Sequence, residues 1–205
     1  MLLNIHPDNP QQRNIQTVID CLKSGGVIIY PTDTIYGLGC DIYNTAAIER
    51  ICRIKNIDPK KAQFSFVCSD LSHISDFTKS VDTPIFRLLK AALPGAYTFI
   101  FNASKQVPKM LKTKKDTVGI RVPGHKISQE IVRQLGHPIM SVSLPMDDDI
   151  EYYTDPELMH DRFGSVVDIV IDSGIGEVVP STVIDCTAGY PELVREGAGD
   201  ISIIG

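Results

Sequence analysis

The chain lacks several things that would settle its chemistry early. No apolar run approaches the roughly 20 residues needed to span a bilayer, so no membrane protein is expected. Its first residues, Met1 to Pro7, place no basic region before an apolar one, and no signal peptide is expected. Five cysteines (Cys21, Cys40, Cys52, Cys68, Cys186) lie far apart without a C-x-x-C pair. That excludes the common zinc spacings and offers no disulfide framework, leaving buried free thiols in a reducing cytoplasm. His6, His73, His125, His137 and His160 show no metal-ligand spacing and read as surface or structural side chains. There is no G-x-x-x-x-G-K-S/T phosphate loop, no G-x-G-x-x-G fingerprint and no G-x-S-x-G nucleophile elbow. Any chemistry therefore rests on positioning and electrostatics rather than on a covalent nucleophile.

What is present is ordinary in bulk and uneven in charge. The 205 residues are 43% hydrophobic and 22% charged, ordinary for a soluble globular protein and enough for one domain with a full core, or at most two small ones. Residues 50–126 hold 15 of the 20 Lys+Arg but only 5 of the 25 Asp+Glu. So basic a segment predicts a positive surface for an anionic ligand or nucleic acid; two solvated faces of opposite sign are the plainer reading.

Hydrophobic spacing predicts alternating helices and strands. Ile15, Val18, Ile19 and Leu22 mark a helix opened by Asn9-Pro10 and stopped by Gly25-Gly26. Ile48, Ile51 and Cys52 mark a second, capped at Asn44-Thr45 and ended by Pro59. Further helices are expected from Asp70 to Phe77, after Asp82-Thr83-Pro84, over 127–135 and from Asp155-Pro156 to Arg162. Strands are expected at 27–30, 64–68, 97–101, 117–122, 138–143 and 167–172, with a late antiparallel hairpin of 181–185 and 193–196. A lysine-rich connection carries Lys105, Lys109, Lys112, Lys114 and Lys115, and the acidic run from Asp147 to Glu151 reads as a solvated loop.

One stretch organises the rest: Tyr30-Pro31-Thr32-Asp33-Thr34-Ile35-Tyr36-Gly37-Leu38-Gly39. A buried strand ends at Pro31, which has no amide hydrogen to donate. A polar loop follows, in which Gly37 and Gly39 allow positive φ or close approach of a partner. Ligands of open α/β sheets bind just beyond such strand ends. Three other features accompany it. Arg121 stands at a strand end before Pro123-Gly124. Ser141 and Ser143 alternate, so both hydroxyls share one face of a strand. Ser181-Thr182-Val183 starts a strand with Arg195-Glu196-Gly197 opposite. Hydroxyls and guanidinium groups at several strand termini suit a small carboxylate or phosphate.

These segments, with Pro94-Gly95-Ala96-Tyr97-Thr98, Ile120-Arg121-Val122-Pro123, Ser181-Thr182-Val183-Ile184-Asp185 and Arg195-Glu196-Gly197, follow in the order seen in the YrdC/YciO family. The resemblance covers nearly the whole chain. Ile5 to Arg13 and Glu49 to Lys55 resemble the YciO branch in particular. It implies a single YrdC-like domain over 1–205, a twisted mixed sheet with flanking helices and an open concave basic face. It also implies a cytoplasmic relative of L-threonylcarbamoyladenylate synthase, a nucleotidyltransferase that makes threonylcarbamoyl-AMP from threonine, bicarbonate and ATP, releasing pyrophosphate. That product feeds the N6-threonylcarbamoyl modification of tRNA. Carried over by motif, Thr32, Tyr36, Arg121 and Ser181 would surround threonine and its carbamate, with Arg195 and Ser143 by the adenylate. Lys55 and Ser141 belong to the K-x-R and S-x-N segments that handle the phosphates, and Lys55 and Arg121 would be catalytic. Mg2+ would accompany bound ATP.

Two motif positions depart: Ile57 replaces arginine, and Ser143 replaces asparagine. Isoleucine offers no donor, which predicts a weakened ATP site unless Arg50, Arg53, Lys60 or Lys61 compensates. The resemblance also carries an alternative, since some members are described as binding double-stranded RNA: a module for structured RNA, tRNA or rRNA without synthase activity.

Overall fold

The computed structural model describes residues 1–59, 62–111, 116–144 and 150–204. They form one α/β domain with a mixed sheet of ten strands and flanking helices. The strands are β1 (Leu2–Asn4), β2 (Ile28–Tyr30), β3 (Gly37–Asp41), β4 (Ser65–Val67), β5 (Tyr97–Asn102), β6 (Thr117–Arg121), β7 (Ile139–Ser143), β8 (Ile169–Asp172), β9 (Thr182–Asp185) and β10 (Glu192–Arg195). The helices are α1 (Gln12–Lys23), α2 (Thr45–Lys55), α3 (Ser72–Phe77), α4 (Thr83–Ala92), α5 (Lys126–Leu135), α6 (Glu151–Thr154) and α7 (Pro156–Phe163). Strand order is β1-β8-β2-β3-β7-β4-β6-β5-β9-β10. The pairs β1/β8, β2/β8, β4/β6 and β5/β9 are parallel, and the other neighbours are antiparallel. No described helix is long and apolar enough to cross a membrane.

Local chemistry sets the helix ends. Asn44 accepts a bond from the Ala47 amide and caps α2; Asp155 does the same for α7 from the Glu157 amide. Gly136, at φ +84°, closes α5 in the left-handed conformation that costs glycine least.

Register divides the two faces of the sheet. On one, Val27, Ile29, Leu38, Phe66, Phe99, Ile120 and Met140 pack with the apolar sides of α2, α3, α4 and α7. On the other, Ile28, Tyr30, Val67, Ile139, Ile169 and Ile171 pack with Ile15, Val18, Ile19 and Leu22 of α1 and Ile127, Ile131 and Val132 of α5. This second core covers only part of its face. Cross-strand partners continue the same face through Ser141, Ser65, Gly119 and Ile100, with Thr98 and Val183 beside them, and there small and polar side chains are mixed with apolar ones.

Several expectations change. Gly37 and Gly39 lie within β3, an interior strand between β2 and β7, and neither has positive φ. The loop is 31–36, and the polar opening lies across the sheet face rather than beyond strand ends. The glycines serve close approach: a Cβ at Gly39 would stand 2.9 Å from Tyr30 Cε1, and one at Gly37 3.1 Å. Strand β1 was not expected, because three residues carry little pattern and only pairing with distant β8 makes them a strand. Helix α1 begins two residues after Pro10, since the His6 ring accepts the Asp8 and Asn9 amides and holds that segment as a turn. Glu151 opens α6 rather than ending a loop; Asp147–Asp149 and Lys112, Lys114 and Lys115 lie outside the described residues.

Gly39→Ala should destabilise the protein by about 1–3 kcal/mol, because a rigid aromatic ring must move to admit the methyl group. Chemical denaturation measures this; an unchanged midpoint would mean that the ring and β3 are not in close contact.

Candidate functional site

The helix-free part of the second face forms a hollow of about 250 Å³. Side chains reach it from the 31–36 loop, from β4, β5, β6 and β7, and from the β9–β10 hairpin. Thr32, Ser65, Thr98, Thr117, Ser141, Ser143 and Ser181 supply hydroxyls, and Arg121 and Arg195 supply guanidinium groups. No carboxylate lines it among the described residues.

Arg121 is the most constrained of these groups. It ends β6 and is 9% exposed. Its Nη2 donates to Asp33 Oδ1 at 2.6 Å, to Thr32 Oγ1 and to Thr34 Oγ1. Asp33 Oδ2 accepts the Gly124 amide at 2.8 Å, tying the turn after β6 to the 31–36 loop. Thr32 shapes that loop: its hydroxyl donates to Ile35 O at 2.8 Å and accepts from the Thr34 amide. His125 follows Gly124 and accepts the Ile127 amide through Nδ1, capping α5. Burial holds its pKa below the ordinary histidine value, against the pull of Asp33 and Asp8.

Opposite Arg121, Arg195 donates to Ser181 O at 2.8 Å from Nη2, and Ser181 Oγ lies 2.8 Å from Thr98 Oγ1. Burial, and then Arg121, lower the pKa of Arg195, so the two cations feel each other across the hollow. Ser141 and Ser143 both line the space. Ser141 is buried and accepts a 2.6 Å bond from the Tyr30 hydroxyl. Lys55, at the end of α2, donates to Ser143 O at 2.7 Å and so stands at the edge; partial burial lowers its pKa.

Thr32, Arg121, Ser141, Ser143, Ser181 and Arg195 are thus brought together. Tyr36 also borders the hollow, but its hydroxyl turns away to donate to Gly174 O at 2.9 Å, with Ser173 Oγ at 3.1 Å. Ile57 lies apart, beside Cys52, Arg53, Asn56, Asp58 and Pro59, with its side chain partly packed on the core. Arg50 is committed elsewhere, to Asp168 at 2.6 Å and to Val166 O. Arg53 borders the same outer groove as Ile57, and Lys60 and Lys61 lie outside the described residues. Of the basic segment, Arg50, Arg121 and Lys126 meet carboxylates, which removes part of its surface charge.

Asp33 and Thr98 were not singled out from sequence. Alternation in Tyr97-Thr98-Phe99-Ile100-Phe101 signals that Thr98 leaves the aromatic face. Nothing local signals that Asp33 will meet a cation 88 residues away.

Comparison with known proteins bears on the family and the fold. Residues 20–197 match the Sua5/YciO/YrdC family model, described as telomere recombination. The chain is 45% identical over 198 residues to an uncharacterized protein, YciO, of Escherichia coli (strain K12), covering 96% of this chain and 95% of that one. The crystal structure of E. coli YciO superposes with a TM-score of 0.93 at 43% identity, covering 100% and 99% of the two chains. A threonylcarbamoyl-AMP synthase of Vibrio vulnificus (strain YJ016) is 31% identical over 187 residues, covering 90% of this chain and 98% of that one.

Asp33→Ala should cost about 3–5 kcal/mol in denaturant unfolding, because it strands a buried guanidinium. A loss below about 1 kcal/mol would mean that the pair behaves as a solvated surface bridge.

Proposed function

The chain belongs to the Sua5/YciO/YrdC family, and from that membership we propose that its hollow takes threonine and an adenylate as a relative of threonylcarbamoyl-AMP synthase. The observation that carries this reading is the convergence of Arg121, Arg195 and a set of hydroxyls, drawn from distant segments, on one helix-free patch of sheet.

In this reading Arg121 and Thr32 hold the threonine carboxylate or the carbamate, with Ser181 beside them. Arg195, Ser141, Ser143 and Lys55 face the nucleotide. Threonine nitrogen and bicarbonate carbon form the carbamate, a carbamate oxygen attacks the α-phosphorus of ATP, and pyrophosphate leaves; water is lost in the condensation. The protein supplies orientation and charge stabilisation. Mg2+, bound with ATP, would neutralise triphosphate charge; among the described residues the hollow offers it no carboxylate and Asp33 is committed to Arg121, so no side chain here would hold it directly.

The phosphate end is the weak end. Ile57 cannot donate and lies apart from the hollow, and Arg50 is paired with Asp168. One missing charge-assisted bond of about 1.5–3 kcal/mol lowers affinity for triphosphate roughly tenfold to a hundredfold. Activity should therefore be slow.

Pyrophosphate release with ATP, bicarbonate and threonine tests the reading. A slow release that requires threonine is expected. Folded protein giving no threonine-dependent product would remove the synthase assignment. Were that same protein to bind structured RNA with steep salt dependence, the RNA-binding alternative would take its place.

A further inference from the structure

We propose that Tyr30 is a positioning residue of the nucleotide end of the hollow: its hydroxyl fixes the Ser141 rotor so that Ser141 presents its own proton to a ligand oxygen. The proposal rests on the reading of the hollow given above.

Tyr30 ends β2 and is fully buried, at the border where the α1–α5 core gives way to the hollow. Ser141 lies two strands away on β7, with β3 between them. A side chain can cross an intervening strand only where that strand carries no side chain on the shared face. Gly37 pairs with Tyr30, and Gly39 pairs with Ser141. Both lack the Cβ that would meet the ring, at 3.1 and 2.9 Å. The phenol then reaches Ser141 Oγ at 2.6 Å.

The direction of that bond decides its consequence. Tyr30 donates and Ser141 accepts. Among the described residues Ser141 Oγ makes no other hydrogen bond, although Ser141 lines the hollow. A serine hydroxyl has one proton to give, and here that proton is not used within the protein. Burial pushes the Tyr30 phenol up to about 12, so it remains a donor across the working pH range. The two glycines of the central stretch thus support a polar contact as well as a close packing of ring on strand.

Titration calorimetry with AMP and with threonine, on wild type, Tyr30→Phe, Ser141→Ala and the double variant, tests this. Tyr30→Phe should weaken AMP roughly three- to tenfold, the worth of one hydrogen bond, and leave threonine unchanged. In the Ser141→Ala background it should add nothing. Gly39→Ala, which displaces the ring and keeps the hydroxyl, gives an independent arm and should also weaken AMP alone. Equal weakening of both ligands, an additive loss in the double variant, or unchanged AMP binding by Tyr30→Phe would overturn the positioning role. Wild type that binds neither ligand would remove the reading of the hollow and this role with it.

Discussion

A guanidinium buried on an open sheet face needs a fixed counter-charge, and Arg121 has one in Asp33 at 2.6 Å. The pair joins two segments that the chain keeps 88 residues apart. Through its second oxygen Asp33 also holds the Gly124 amide, so the 31–36 loop and the turn leading into α5 are fastened together. Thr32 and Thr34 complete the acceptors around Nη2. The hollow has a defined wall because this cluster ties the 31–36 loop to β6 and to the turn after it.

The second constraint is where the helices stop. Helices α1 and α5 bury the face around β2 and β8 and as far as Ile139 of β7 and Val67 of β4, and leave it bare around Ser65 and over β5, β6 and β9. A bare face with large apolar residues would be a liability in water. Here serine, threonine, glycine and two arginines interrupt the apolar contribution of Ile35, Phe64, Ile100, Val142 and Val183 and leave room for a ligand. Tyr30 marks the boundary, its ring in the core and its hydroxyl on Ser141. Arg121 and Arg195 both border the hollow, and burial, with Arg121 second, lowers the pKa of Arg195. That suits an anion shared by the two ends, as in an adenylate joined to an amino acid.

Much of the architecture was legible because helical spacing and short β-branched runs state their own periodicity. The α1, α2, α4, α5 and α7 patterns needed no tertiary information, and the lack of a helix between β9 and β10 implied their antiparallel pairing. Ser141 and Ser143 could be put on one face by alternation alone. The rest depended on partners distant in sequence. Strand β1 exists only because β8 lies beside it. Gly37 and Gly39 looked like loop residues, because glycine is rare in strands; their purpose is visible only once Tyr30 is seen crossing β3. Tyr36 came to the site through the resemblance alone; it borders the hollow, and its hydroxyl meets Ser173 and Gly174. A count of charges could not foresee that Arg50 and Lys126 would be spent on Asp168 and Asp8.

The account stands on a single ligand site in the hollow between Arg121 and Arg195. A backbone amide map of isotope-labelled protein, titrated with threonine and then AMP, examines it most directly. The predicted result is saturable shifts confined to Thr32, Gly119, Arg121, Ser141, Ser143, Ser181 and their neighbours. Shifts that gather instead at the separate cleft of Lys79, Asn102 and Thr187, or no saturable shifts at all, would contradict it.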